Sequence, residues 1–408
     1  MFEKIKANII LYYFEYAICL LTASFFLGHA VLSISYIIFL LASTKMVLNN
    51  FNLKEFLSKK ALILPCIFFL FNLLIVIILG DSIEDVLKIE KIHCLLVFPI
   101  IFFSTTTKFK QNPSLFFNIK KTFVLTAFFT FLISFFYGLF RVFYAETILN
   151  SIYVTYNHLA ELFGVQPLYL AVFYLMAIIF SIDLSKSVPH QRIIYIIISC
   201  VLFFGIVLLS SRTGLSLSLI ILFIKLLKSK IKNKSLFLVF VLLFILCVTL
   251  TLSVPTLKNR VLKLDENISS YSGVSFRTKI WKNSFIVFEE SPLFGHGIYL
   301  SQQKLMHQYR KTNFRRGYIN NLNSHNQYLQ TLLDSGFIGL ILLIFMLVIP
   351  VKDVSKTQPS HLLFTVIILV SLIPESFFLR QYGILFYSFF SCVFFVSKEQ
   401  LPKKVNAH

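Results

Sequence analysis

Ala61-Leu62-Ile63-Leu64-Pro65-Cys66-Ile67-Phe68-Phe69-Leu70-Phe71-Asn72-Leu73-Leu74-Ile75-Val76-Ile77-Ile78-Leu79 runs without a single charged residue and stops at Gly80. An α-helix needs about 20 mostly apolar residues to cross a bilayer, and this stretch has that length and character. The pattern recurs along the chain. Spans are expected near 9–28, 30–48, 61–79, 88–105, 121–140 and 165–183, then near 193–210, 213–227, 235–253, 328–350, 360–376 and 381–397. The first run carries Glu15, lacks a small-residue cleavage site and leads directly into the next span. It is therefore expected to be a span rather than a signal peptide.

Composition agrees. Of 408 residues, 57% are hydrophobic, 48 are Phe and only 14% are charged, against about 25% charged in soluble domains. A soluble core stops growing long before it could hold this much apolar surface, whereas lipid solvates it directly. The fold class expected is all-α: a polytopic integral membrane protein of about 12 transmembrane helices, forming one domain over 1–408. Cys19, Cys66, Cys94, Cys200, Cys247 and Cys392 all lie inside apolar runs with no Cys-x-x-Cys. That spacing argues against a disulfide framework or a zinc site.

Lys and Arg collect in cytoplasmic loops of membrane proteins. With the N terminus inside, the expected cytoplasmic connections carry Lys45, Lys54, Lys59 and Lys60, then Lys108, Lys110, Lys120 and Lys121. Lys186 and Arg192 follow, then Lys225 to Lys234, Lys352 and Lys356, and the tail Lys398, Lys403 and Lys404. Both termini are then cytoplasmic. Residues 254–326 form the one long outer connection, and they carry eleven Lys/Arg against four acids, a net +7. Two readings fit that charge: an anionic ligand such as pyrophosphate, or lipid headgroups.

Within this frame a few residues carry chemistry. Arg212, in Ser210-Ser211-Arg212-Thr213-Gly214, sits where two apolar runs meet. It either snorkels to the interface or binds a phosphate bidentately in a small polar pocket. Residues 277–289 read as an amphipathic helix with Ile280, Trp281, Phe285 and Phe288 on one face and Arg277 on the side of Trp281. This is either a helix lying on the bilayer or one aiming Arg277 at the membrane mouth. Ser291-Pro292-Leu293-Phe294-Gly295-His296-Gly297 should end it. His325 opens Asn323-Ser324-His325-Asn326-Gln327 just before a span. At 100° per residue Gly336 returns within about 20° of His325, so the histidine and a packing glycine are expected on one helix face. An imidazole can act as a base at neutral pH. The other eight histidines, His296 among them, are expected to be structural. Glu375 and Arg380 flank the last outer turn, as a structural charge pair or as part of the same mouth. No Asp-x-Asp, no metal-ligand cluster and no nucleotide loop stands in the sequence, so neither a metal nor a cofactor is expected. A transporter would call for a pair of broken, charge-bearing helices at mid-membrane, and the sequence suggests none.

These pieces resemble the O-antigen ligase and polymerase superfamily of bacterial inner-membrane glycosyltransferases. His325-Asn326, nine residues, Gly336, two residues and Gly339 satisfies that family's pattern of His-Asn/Ser/Gln, nine residues, Gly, two residues, Gly/Thr/Tyr. Ser211-Arg212-Thr213-Gly214 is similar to its short Arg motif. Arg277-x-x-x-Trp281, followed by Pro292 and Gly295-x-Gly297, is similar to the start of its long loop. Gly164-Val165-Gln166-Pro167-Leu168-Tyr169 resembles a further element, with Gln166 where His is usual. The resemblance covers roughly 150–395 and implies a fold of the GT-C-like kind with short helices in a periplasmic loop. It implies transfer of a glycan from undecaprenyl pyrophosphate to the lipid A–core acceptor, or to a growing glycan in polymerases. A protein O-oligosaccharyltransferase is a further possibility within the class. In these roles His325 would be the catalytic base and Arg212 and Arg277 the pyrophosphate ligands. Asn326, Trp281, Glu375 and Arg380 would support them. The partners implied are the lipid-linked donor, the acceptor and membrane lipids, with no nucleic acid.

Overall fold

The structure is a computed structural model describing residues 2–80, 89–112, 114–144, 151–228, 274–354 and 358–398. The expected span at 235–253 and the start of the expected outer connection, 254–273, lie outside the described residues. The described chain is helical throughout: α1 (Phe2–Ser24), α2 (His29–Asn50), α3 (Leu53–Leu57), α4 (Lys60–Leu79), α5 (Cys94–Gln111), α6 (Ser114–Tyr144), α7 (Tyr156–Glu161) and α8 (Pro167–Ser187). It continues with α9 (Arg192–Leu208), α10 (Arg212–Lys228), α11 (Val274–Glu289), α12 (Leu300–Lys311), α13 (Arg315–Ile319), α14 (Gln327–Val354), α15 (Pro359–Ser371) and α16 (Gln381–Lys398). Each of the other eleven expected spans falls on one of these helices. Seven stretches are long and apolar enough to cross a membrane: those of α2, α4, α5, α6, α8, α9 and α14. The protein is an all-α polytopic membrane protein.

The helices group into two compact units, Met1–Ala42 with Pro113–Lys263, and Ser43–Asn112 with Leu264–His408. In the first, α8 is buried on nearly every face, from Tyr169 to Phe180. Phenylalanines fill the space around it. Phe26 lies 4.8 Å from Phe123 and 5.8 Å from Phe173, and Phe131 meets Tyr174 edge-on at 6.0 Å. Edge-on pairs of this kind are favoured by the ring quadrupole. Arg141 donates to Glu161 at 2.9 Å and lies over the Tyr153 ring at 4.6 Å, tying the end of α6 to α7. The outer rows of α6 and α9, such as Ile133, Phe136, Ile194 and Ile197, stay exposed and apolar. A helix surface like this suits lipid, not water.

In the second unit α16 packs on α5 through Phe389, 5.8 Å from Phe98 and 5.7 Å from Phe102. Helix α14 packs on α4, where Ser335 donates to Asn72. Helices α11 and α12 lie over the start of α14 around Ile280, Val287, Leu305, Tyr309, Leu332 and Leu333.

Helix α14 is two helices joined at a break. Gly336 takes φ +61°, ψ −161°, outside any helical region. The groups that the break releases are met by residues 291–297. His296 and Gly297 N–H donate to the Leu333 and Asp334 carbonyls at 2.8 and 2.9 Å. In return Phe337 and Ile338 N–H donate to the carbonyls of Pro292 and Leu293 at 2.8 and 3.3 Å. All four bonds are main-chain, and buried main-chain groups left without such partners would be costly. This overturns the expectation that His325 and Gly336 share one helix face: His325 lies ahead of the helix, and Gly336 interrupts it. It also gives Ser291–Gly297 a larger role than ending α11. Among the described residues this break is found in α14 alone.

Candidate functional site

The chain enters α14 through Asn323-Ser324-His325-Asn326. The Asn326 side chain accepts from Tyr328 N–H at 2.9 Å and Leu329 N–H at 3.2 Å. Asn326 is thus the N-cap, satisfying donors that a helix start leaves open. His325, one residue earlier, has φ +45°, a left-handed backbone that costs an ordinary residue roughly 1–2 kcal/mol. Asn323 offsets part of this by accepting from His325 N–H at 2.9 Å, a turn that asparagine forms readily.

The turn after α15 is stitched to this entrance. Gln327 N–H donates to the Leu372 carbonyl, and Phe378 N–H donates to the Gln327 side chain, both at 2.8 Å. Glu375 is carried on that turn. Its Oε2 lies 3.3 Å from Nδ1 of His325, with the two side chains 14% and 28% exposed. A carboxylate only accepts. The contact therefore places the imidazole proton on Nδ1 and leaves the Nε2 lone pair to act as a base, the relation seen wherever a carboxylate orients a catalytic histidine. Glu375 is directed to His325, while Arg380 is exposed on its own five residues later. The expected Glu375–Arg380 charge pair is replaced by a His325–Glu375 pair.

Beneath the entrance lies a set of buried polar groups. Gln330 accepts from Ser324 N–H at 3.2 Å and lies 3.0 Å from Ser324 Oγ. Its amide N–H donates to Asp334 Oδ1 at 2.9 Å, and Ser301 of α12 donates to the same oxygen. Ser324 Oγ is 3.1 Å from Ser376 Oγ, the residue next to Glu375.

Arg277 and Trp281 lie on α11 in the same unit, as the spacing indicates. Arg277 is half-buried. Trp281 packs against the α11–α12–α14 cluster, and its indole N–H is buried with no partner. His296, buried in the interlocking loop, donates from Nε2 to the Val287 carbonyl at 2.9 Å, and burial holds its pKa below the usual value. Its structural reading is kept. Lys304 pairs with Glu290 at 2.8 Å, and that hydrogen bond pulls the Glu290 carboxyl below its ordinary range. Arg310, Lys311 and Arg315 stay exposed at the α12–α13 corner.

In the first unit Arg212 is the exposed first residue of α10. Ser211 accepts from Gly214 N–H at 3.1 Å as a helix cap, and Ser210, at φ +47°, turns the chain. A Cβ on Gly214 would meet Ala171 at 3.0 Å and Ile206 at 3.1 Å, so glycine lets α10 close on α8 and α9. The serines before Arg212 thus shape a backbone turn, with Arg212 exposed at the start of α10.

Sequence reasoning brought His325, Asn326 and Glu375 to one place and passed over Asn323, Ser324, Gln330, Asp334 and Ser376. The signal was present: Ser324, Gln327, Gln330, Thr331 and Asp334 form a polar stripe at helical spacing that runs into the expected span 328–350.

A family model described as O-antigen ligase matches residues 197–344. Over 104 residues the chain is 26% identical to an uncharacterized protein of Haemophilus influenzae, covering 26% of each. The chain thus spans about a quarter of the length of that curated relative. The segment matched by the family model holds Arg212, Arg277, His325, Asn326 and the Gly336 break. Over that segment the chain is similar to the O-antigen ligase family.

Proposed function

We propose that this protein is an O-antigen ligase of the bacterial inner membrane, acting on the periplasmic side as one membrane domain with 254–326 as its outer loop. The observation that carries the reading is His325, cradled in a left-handed turn with Nδ1 against Glu375, inside the segment similar to O-antigen ligases. Members of that superfamily are glycosyltransferase-like enzymes.

The donor is a glycan on undecaprenyl pyrophosphate and the acceptor is an outer sugar of lipid A–core. His325 Nε2 takes the proton of the acceptor hydroxyl as its oxygen bonds to the anomeric carbon. The bond from that carbon to the pyrophosphate breaks, and the electron pair leaves with undecaprenyl pyrophosphate. Arg212 and Arg277 hold the pyrophosphate and stabilise its growing charge. The energy comes from the pyrophosphate linkage, so neither a metal nor a nucleotide takes part.

A general base contributes roughly 10²–10⁴-fold and a charge-stabilising group roughly 10²–10³-fold. His325→Ala and Arg212→Ala should each nearly abolish transfer while the protein stays in the membrane. Activity of the purified protein should survive EDTA and need no added ATP; a requirement for either would refute the metal- and nucleotide-free mechanism.

The deciding experiment is gene deletion with complementation, read on a gel of surface polysaccharide. Bare lipid A–core with polymer retained on the lipid carrier identifies a ligase. Core bearing single repeat units identifies a polymerase with the same donor, and the acceptor assignment then falls. An unchanged glycan profile removes the enzyme reading.

A further inference from the structure

We propose that Asp334 is a positioning residue for His325, acting through Gln330 and Ser324; this rests on His325 being the base of the proposed reaction. Asp334 is fixed from the far side of the site. Its carbonyl is taken by Gly297 N–H at the helix break, and its side chain accepts from Ser301 on α12. From that anchor one line of hydrogen bonds climbs the first turns of α14.

The direction of the line follows from donor chemistry. The Asp334 carboxylate only accepts, so Gln330 must turn its NH₂ toward it, and the Gln330 carbonyl is left facing Ser324. There it receives the N–H of Ser324, the residue immediately before His325. Ser324 Oγ lies 2.8 Å from the Asn326 carbonyl and 3.1 Å from Ser376 Oγ, beside Glu375. Both members of the His325–Glu375 pair therefore adjoin a residue on the line.

Burial gives the line its weight. Ser301, Ser324 and Ser376 are fully buried, Gln330 is 2% exposed and Asp334 is 6% exposed. Apolar residues of similar volume would pack such a region without the desolvation cost of a buried carboxylate. What the polar groups add is orientation, which a base needs because a displacement of about 1 Å can cost roughly 10²-fold in rate. The line also joins His325 to α12 and to residues 291–297, so the outer-loop helices and the base share one frame.

The test uses purified full-length protein in lipid nanodiscs with an undecaprenyl-pyrophosphate-linked glycan and lipid A–core. Gln330→Met and Asp334→Leu should lower kcat by about 10- to 100-fold, with KM for both substrates within about threefold, since orientation acts on the transition state. Asp334→Asn keeps an acceptor at Oδ1 and should recover kcat to within about tenfold of the wild type. Thr365→Val is the control. Thr365 lies on α15 in the same unit, is buried and donates to the His361 carbonyl at 3.0 Å, so its replacement should lower the melting temperature while keeping kcat. If Gln330→Met and Asp334→Leu match Thr365→Val in kcat, the positioning role is overturned. A rise in KM alone overturns it as well. Should Asp334→Leu fail to fold, Gln330→Met still decides. Wild-type rates in His325→Ala would bring down the proposed base and this inference together. An inactive His325→Ala beside unaffected Gln330→Met would remove the positioning line alone.

Discussion

Gly336 and His325 both hold positive φ, and for opposite reasons. At Gly336 there is no room for a side chain: a Cβ would meet the Leu293 carbonyl carbon and oxygen at 2.3 Å. At His325 there is room, and the turn is held by Asn323. Gly164 supplies the comparison, with φ +64° and nothing within 4 Å of its Cβ position. Gly164→Ala should therefore cost about 1 kcal/mol, the ordinary penalty of a left-handed alanine. Gly336→Ala must also push the 291–297 backbone away and should lower the melting temperature several degrees further. Equal losses in the two variants, measured by thermal unfolding in detergent, would refute the interlock. His325 itself was legible in the sequence because its motif couples a rare polar residue to a span. Its backbone conformation was not, since nothing local to His325 encodes φ; the hydrogen bond that holds it comes from Asn323 two residues earlier.

At the scale of elements, the two halves of α14 and the 291–297 loop form one unit, and His296 makes it sensitive to pH. Burial lowers its pKa in the folded protein. Below about pH 6.5, the ordinary histidine value, the unfolded chain binds a proton that the folded chain still refuses. Stability should thus be full above that pH and fall as pH drops toward the lowered value. His296→Gln should flatten this part of the stability curve, measured as melting temperature between about pH 7.5 and 5. The break was hidden from sequence reasoning for a physical reason. A single glycine in an apolar helix ordinarily marks close helix packing, and the four main-chain bonds that stabilise a break here come from residues some 40 positions earlier. The polar stripe from Ser324 to Asp334 was the readable hint, since lipid tolerates no such row on a helix unless protein satisfies it.

For the whole molecule, apolar run length carried most of the architecture, because bilayer thickness imposes length on helices irrespective of their neighbours. What no run length conveys is the grouping of helices into two units, which depends on side-chain shape, as in the fit of Phe131 and Tyr174 around Gly205. The proposed topology makes a direct prediction. Gln303→Cys on α12, exposed in the structure, should react with a membrane-impermeant maleimide in intact spheroplasts. Lys54→Cys, exposed on α3, should react only after the membrane is opened. The reverse pattern would invert the orientation and put His325 on the cytoplasmic side.

The main-chain zipper between 291–297 and the Gly336 break also sets how this protein can be recombined with its relatives. A chimera that imports only the histidine-bearing helix would match a foreign break to a native loop, and the four bonds would lose their register. The transferable cassette is discontinuous, residues 291–297 together with 323–338, so hybrids with a single crossover within 312–321 should fail and those that take both pieces from one parent should fold.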